Sequence, residues 1–141
     1  MALAYNNRGA LRAESGNKQA ALADYNQAIQ LNPKYAKAYF QRGVLREESG
    51  DKQAALADYN QAIQLDPKYA KAYNNRGILR HLSGDKQAAL VDYKQAIQLD
   101  PKYAKAYYNI GLVKYEQGDI EAAMRQFQTA INNDSKKVES Q

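Results

Sequence analysis

The residues that could do covalent chemistry are few, and their spacing argues against it. His81 is the only histidine and the chain has no cysteine, so a thiolate nucleophile, a thiolate metal site and a disulfide framework are all excluded. A single imidazole on a helix face, with no carboxylate cluster beside it, does not complete a metal site or a catalytic dyad. Ser15, Ser49 and Ser83 each stand directly before a glycine, which fits turn chemistry better than a nucleophile. Glu47 and Glu48 adjoin like charge without the logic of an acid and base pair. The glycines read as helix stops, not as a phosphate-binding loop. The chain is expected to be no enzyme and to use no cofactor and no metal.

What remains is the chemistry of recognition. Lysines recur in pairs at Lys34/Lys37, Lys68/Lys71 and Lys102/Lys105, among side-chain amides and aromatic rings. Amides can bond a peptide backbone, rings can cover its apolar groups, and lysines attract acidic side chains. The net charge of +5 and pI near 9.3 favour encounter with acidic partners but do not define a function. Met1-Ala-Leu-Ala-Tyr-Asn-Asn-Arg has no signal-peptide core. No later stretch approaches the roughly 20 apolar residues of a membrane span, so the chain reads as soluble and cytoplasmic, with no membrane partner.

These side chains must be positioned by a repeating element. Pro33, Pro67 and Pro101 close near-identical segments at a period of 34 residues, the signature of stacked helical hairpins. Four units follow, 2–35, 36–69, 70–103 and a divergent 104–137, with 138–141 as a polar tail; the whole of 1–141 is read as one domain. In each unit a first helix ends at Gly16, Gly50, Gly84 or Gly118. Asn17, Asp51, Asp85 and Asp119 then cap the second. In that second helix Ala55, Leu56, Tyr59, Ala62 and Ile63 recur at spacings of three and four, an amphipathic pattern. Proline stops it, and the short links make the two helices antiparallel neighbours.

This arrangement resembles the tetratricopeptide repeat. In the second unit Tyr39, Gly43, Ala55, Tyr59, Ala62 and Pro67 fall at that family's signature offsets, and the match extends over nearly the whole chain. The resemblance implies an all-α solenoid of four antiparallel helix-turn-helix repeats, eight helices in a right-handed superhelix, with the first helices lining a concave groove. The chain departs from the family pattern at Arg8, Arg42 and Arg76, where a large apolar residue is expected, and at Arg12, Arg46 and Arg80, where an aromatic is. Half-buried arginines need partners. Asp24, Asp58 and Asp92 occur in the same three units, and the fourth loses both members together as Ile110 and Gln126. Arg8, Arg42 and Arg76 are therefore expected to pair with those aspartates.

Subtracting one unit from the next isolates a second surface. The second and third units differ only at Phe40/Asn74, Gln41/Asn75, Val44/Ile78, Glu47/His81, Glu48/Leu82, Ala57/Val91 and Asn60/Lys94. At about 100° per residue, the first-helix members of that set project away from the invariant Tyr39, Arg42, Gly43 and Arg46. Along the four units the unrepeated face offers Asn6, Phe40, Gln41 and Val44, then Asn74, Asn75, Ile78 and His81, then Tyr108, Asn109, Leu112 and Tyr115, with Lys37, Lys71 and Lys105 at its edge. These are the candidate peptide-binding residues. Val44, Ile78 and Leu112 have a second reading, as packing between first helices; Phe40, Tyr108 and Tyr115 are the better ligand contacts.

The primary expectation is a protein-interaction scaffold that grips an extended, acidic peptide. Family members that hold chaperone C-termini use a two-carboxylate clamp, and the match to it is poor. Lys71 with Asn75, or Lys105 with Asn109, is similar to its last part, but its opening lysine–asparagine pair is missing. Single-stranded RNA is the rival ligand, through the lysines and rings; the interspersed Glu14, Glu47, Glu48 and Glu116 count against it. A third reading concerns the ends. Met124, Phe127 and Ile131 have no further unit to face, which suggests an excerpt of a longer array, end-to-end self-association, or a consensus-type module with no dedicated ligand.

Overall fold

The computed structural model describes the backbone of residues 1–139 and the side-chain surroundings of residues 1–134. Among the described residues there are eight helices and no strand. In order they are α1 (Ala2–Glu14), α2 (Lys18–Leu31), α3 (Ala36–Glu48), α4 (Lys52–Leu65), α5 (Ala70–Leu82), α6 (Lys86–Leu99), α7 (Ala104–Glu116) and α8 (Ile120–Glu139).

Local chemistry sets these boundaries. Each first helix ends two residues before a glycine in the left-handed region, as at Gly50 with φ of 85°, a conformation that a Cβ would strain. The preceding serine closes the turn, its hydroxyl donating to the carbonyl four residues back: Ser15 to Leu11, Ser49 to Leu45 and Ser83 to Leu79, at 2.9–3.0 Å. The next residue starts the second helix. Asn17, Asp51, Asp85 and Asp119 accept from the amides of Ala20, Ala54, Ala88 and Ala122 at 3.1–3.3 Å. Second helices then stop at extended Asn32, Asp66 and Asp100, each followed by proline. No proline follows in the fourth unit, and α8 runs on to Glu139, into what the sequence reads as a tail.

The helices gather into two compact units, Met1–Pro67 and Lys68–Gln141. In the first, α1 packs on α2 and α3 on α4; the pairs are joined by α2 against α3, with a lighter contact between α1 and α3. The second repeats the plan with α5 on α6, α7 on α8, α6 against α7, and α5 lightly touching α7. Close approach within a pair is enforced by glycine. A Cβ on Gly43 would lie 2.7 Å from the Tyr59 ring, and one on Gly111 would lie 2.5 Å from the Phe127 ring.

The predicted ion pairs lock the same helix pairs. Arg42 clasps Asp58 through Nε and Nη2, at 3.0 and 2.7 Å. Arg46 Nη1, which the sequence left without a partner, bonds the same carboxylate at 3.0 Å. Arg8 and Arg12 treat Asp24 alike, as do Arg76 and Arg80 with Asp92. The aspartates are buried, so each carboxylate exchanges hydration for three charge-assisted hydrogen bonds. The hydrogen bond from Arg8 holds the Asp24 carboxyl below its ordinary range against the opposing effect of burial. Each clasping guanidinium also lies 5.4–5.5 Å over a tyrosine ring, Tyr5, Tyr39 or Tyr73. The fourth pair does without: Ile110 and Val113 are buried, and α6 contributes Ala89, Leu90 and Tyr93 to the same apolar cluster.

Candidate interaction surface

Because second helices and invariant positions absorb the core, the remaining face of the first helices is where side chains are free to vary. It divides into one patch on α1 and α3 and another on α5 and α7. Lys37, Lys71 and Lys105 are exposed, as are Tyr108 and Tyr115. Phe40, Gln41, Val44, Asn75, Ile78, His81 and Leu112 are half-buried. Asn6, Asn74 and Asn109 are buried, which differs from the open face on which the sequence places them.

The reason is contact between neighbouring first helices. Asn109 Nδ2 donates to Asn74 Oδ1 at 2.9 Å, and Asn74 Nδ2 donates to Asn75 Oδ1 at 3.3 Å, so a chain of amides crosses from α7 to α5. The Tyr103 hydroxyl joins it through Asn74; its pKa is nevertheless raised, chiefly by burial and further by Asp100. Asn6 and Gln41 are the corresponding pair of the first patch, at the same separation of 35 residues as Asn74 and Asn109. There the Asn6 amide and the Gln41 carbonyl are buried with no hydrogen-bond partner among the described residues.

Other members of the unrepeated face are held by the fold itself. His81 Nε2 and Glu116 Oε2 lie 2.7 Å apart, joining the C-terminal ends of α5 and α7, with Lys86 Nζ 3.4 Å from the same oxygen. The His81 hydrogen bond is the main cause of a lowered Glu116 pKa. Glu47 accepts from the Tyr59 hydroxyl at 2.7 Å. Phe40 leans on the Tyr59 ring with centroids 5.8 Å apart, and Tyr108 on Phe127 at 5.7 Å. Sequence reasoning missed the His81–Glu116 contact, although the same 35-residue separation that joins Asn74 and Asn109 would have pointed to it.

What the patch on α5 and α7 presents outward is thus a lysine at an equivalent place on each helix, the half-buried Asn75 and Leu112, and the ring of Tyr115, 62% exposed; Ile78 instead packs on the apolar cluster of Leu90, Tyr93, Ile110 and Val113. That combination offers charge, amide and apolar contact. Among the described residues no three His, Cys, Asp or Glu side chains gather as metal ligands, and no helix is long and apolar enough to cross a membrane.

A family model described as TPR repeat matches residues 9–50, 48–84 and 79–118, and one described as tetratricopeptide repeat matches residues 104–137. No curated protein sequence matches the chain. Among solved structures, a crystal structure of MamA is 26% identical with a TM-score of 0.86, over 98% of this chain and 81% of that one. MamA from position 41 to its end, from Desulfovibrio magneticus RS-1, is 18% identical with a TM-score of 0.82, over 96% of this chain and 77% of that one. The first TPR of Spaghetti (RPAP3), bound to the HSP90 peptide SRMEEVD, is 22% identical with a TM-score of 0.79, over 83% and 93%. The last two likenesses speak for the fold alone.

Proposed function

The chain belongs to the tetratricopeptide repeat family, and from that premise we propose that it is a non-catalytic protein-interaction scaffold whose first-helix face holds an extended, acidic peptide. The observation that carries this reading is the set of side chains on α5 and α7 that stay open: Lys71, Lys105 and Tyr115 exposed, beside half-buried Leu112 and half-buried Asn75, which also accepts from Asn74, while Ile78 packs on the apolar cluster of Leu90, Tyr93, Ile110 and Val113. Lysines at equivalent places on neighbouring helices suit a ligand with more than one carboxylate. Tyr115 supplies a ring of the kind that dominates peptide interfaces. On α3, Lys37, Gln41 and Val44 offer a weaker version of the same surface, with Phe40 turned partly onto Tyr59. The peptide SRMEEVD bound by the first TPR of Spaghetti carries two glutamates and an aspartate, the kind of charge this patch would attract.

The buried amides Asn6, Asn74 and Asn109 hold first helices together in this reading and leave the ligand to their neighbours. Fluorescence anisotropy with labelled acidic, neutral and basic peptides of equal length, and with a single-stranded RNA, tests it. Acidic peptides should bind best. Tyr115→Ala should weaken them about fivefold, the equivalent of roughly 1 kcal/mol, and Lys71→Glu with Lys105→Glu by about tenfold or more. RNA binding with a steep salt dependence and no peptide binding would replace the reading. Acidic-peptide binding undiminished in both variants would place the site elsewhere.

A further inference from the structure

The joint between α2 and α3 shows how one repeat accepts the next. Leu45 of α3 is 4% exposed because it packs on Ala21 and Tyr25 of α2, with Leu22 alongside. Arg42 reaches across the same joint, Nη1 donating to Asn26 Oδ1 at 2.9 Å. The α6–α7 joint repeats the apolar part, with Val113 in place of Leu45 and Leu90 in place of Leu22, the latter 5% exposed. Among the described residues, each half of this joint also occurs in exposed form, on α1 and on α8. On α1 the equivalent of Leu45 is Leu11, 64% exposed; on α8 the equivalent of Leu22 and Leu90 is Met124, 65% exposed, next to exposed Ile131.

From this we infer that the outward faces of α1 and α8 are complementary, and that a second copy of this chain docks α1 onto α8 as α3 docks onto α2. The repeat offset makes the contacts specific. Leu11 of one copy meets Met124 of the other, as Leu45 meets Leu22. Arg8, more open to solvent than Arg42, gains Gln128 in the role of Asn26. Tyr108 stands where Asn74 stands in α5, and Asn7 where Asn109 stands in α7, so Tyr108 meets Asn7 as Asn74 meets Asn109. The contact is heterologous: each copy offers one face of each kind, so association continues beyond two copies unless a ring closes.

Light scattering of the full chain across concentration, with variants at the two faces, tests this. Leu11 and Met124 are exposed, so Leu11→Asp and Met124→Asp should keep the helical circular dichroism of the parent. The parent's mean mass should rise with concentration. Each variant alone should stay at the mass of one chain, and an equimolar mixture of the two should yield a species of two chains and no larger, because only one competent pair of faces remains. A parent that stays monomeric at every concentration overturns the inference. So does a parent that associates while the two variants mixed behave no differently from each alone, because its contact then lies on another surface.

Discussion

The two compact units are built from the same parts and joined by different chemistry. In Met1–Pro67 the joint between pairs carries a polar strut, Arg42 to Asn26, and Asn6 and Gln41, at the places that Asn74 and Asn109 hold in the other unit, bury amide groups with no hydrogen-bond partner among the described residues. In Lys68–Gln141 the strut is absent. Ile110 stands at the arginine's place and Lys94 at the asparagine's, and Leu90 and Val113 fill the joint with hydrocarbon. The first helices there are tied twice, by Asn74 with Asn109 and by His81 with Glu116. At the joint between pairs the backbone plan accepts either a bonded polar group or an apolar one at the same place. It is the exchange of partners in pairs that keeps the plan intact: where arginine goes, its aspartate goes with it.

The largest test of that rule separates the clasped pairs from the unclasped one. Asp58→Ala leaves Arg42 and Arg46 without their shared carboxylate and should cost about 3 kcal/mol in chemical denaturation. Gln126→Ala, at the matching place of the fourth pair, should stay within about 0.5 kcal/mol. Equal losses would mean that the arginine clasps are not what holds their helices. A smaller effect distinguishes the amide contacts. Asn74→Leu strips Asn109 and Tyr103 of a buried partner and should destabilise by about 2 kcal/mol, whereas Asn6→Leu removes an unpartnered amide and should be neutral or stabilise by up to about 1 kcal/mol. Asn6→Leu proving the more damaging would show that the α1–α3 amides bond each other in solution.

The smallest effect is electrostatic. The Glu116 and Asp24 carboxyls are both held below their ordinary range, by His81 and Arg8 respectively. Each therefore adds stability that is complete above the unfolded carboxylate value of about 4 and is lost as the pH falls through the lowered folded value. His81→Ala should move Glu116 back upward, only part of the way because Lys86 remains, and leave Asp24 unchanged. Carboxyl chemical shifts followed during an acid titration would read both groups in one experiment. A Glu116 titration that ignores the substitution would remove the imidazole from the contact.

How much of this was legible in the chain depends on what kind of neighbour a residue has. Contacts inside a repeat left a signature, because repeats are compared at fixed offsets. Loss of arginine and aspartate together in the fourth unit pointed to the clasp. Arg46 was visible as a departure from pattern, but one carboxylate serving two guanidinium groups is a geometric fact that spacing alone does not contain. Contacts between first helices were the hard part. Turning a helix at about 100° per residue tells which side faces its own partner and says nothing about coverage from the adjacent repeat. Asn6, Asn74 and Asn109 are buried for that reason.

The central claim is that the face left over after packing is subtracted is the one that binds. Amide chemical shifts of the labelled chain, followed during titration with the best acidic peptide, test it directly. The account predicts that the largest changes fall on α5 and α7 around Lys71, Asn75, Lys105, Leu112 and Tyr115, with α6 and α8 little affected. Changes concentrated on the second helices, or at Leu11 and Met124 on the outward faces, would contradict it.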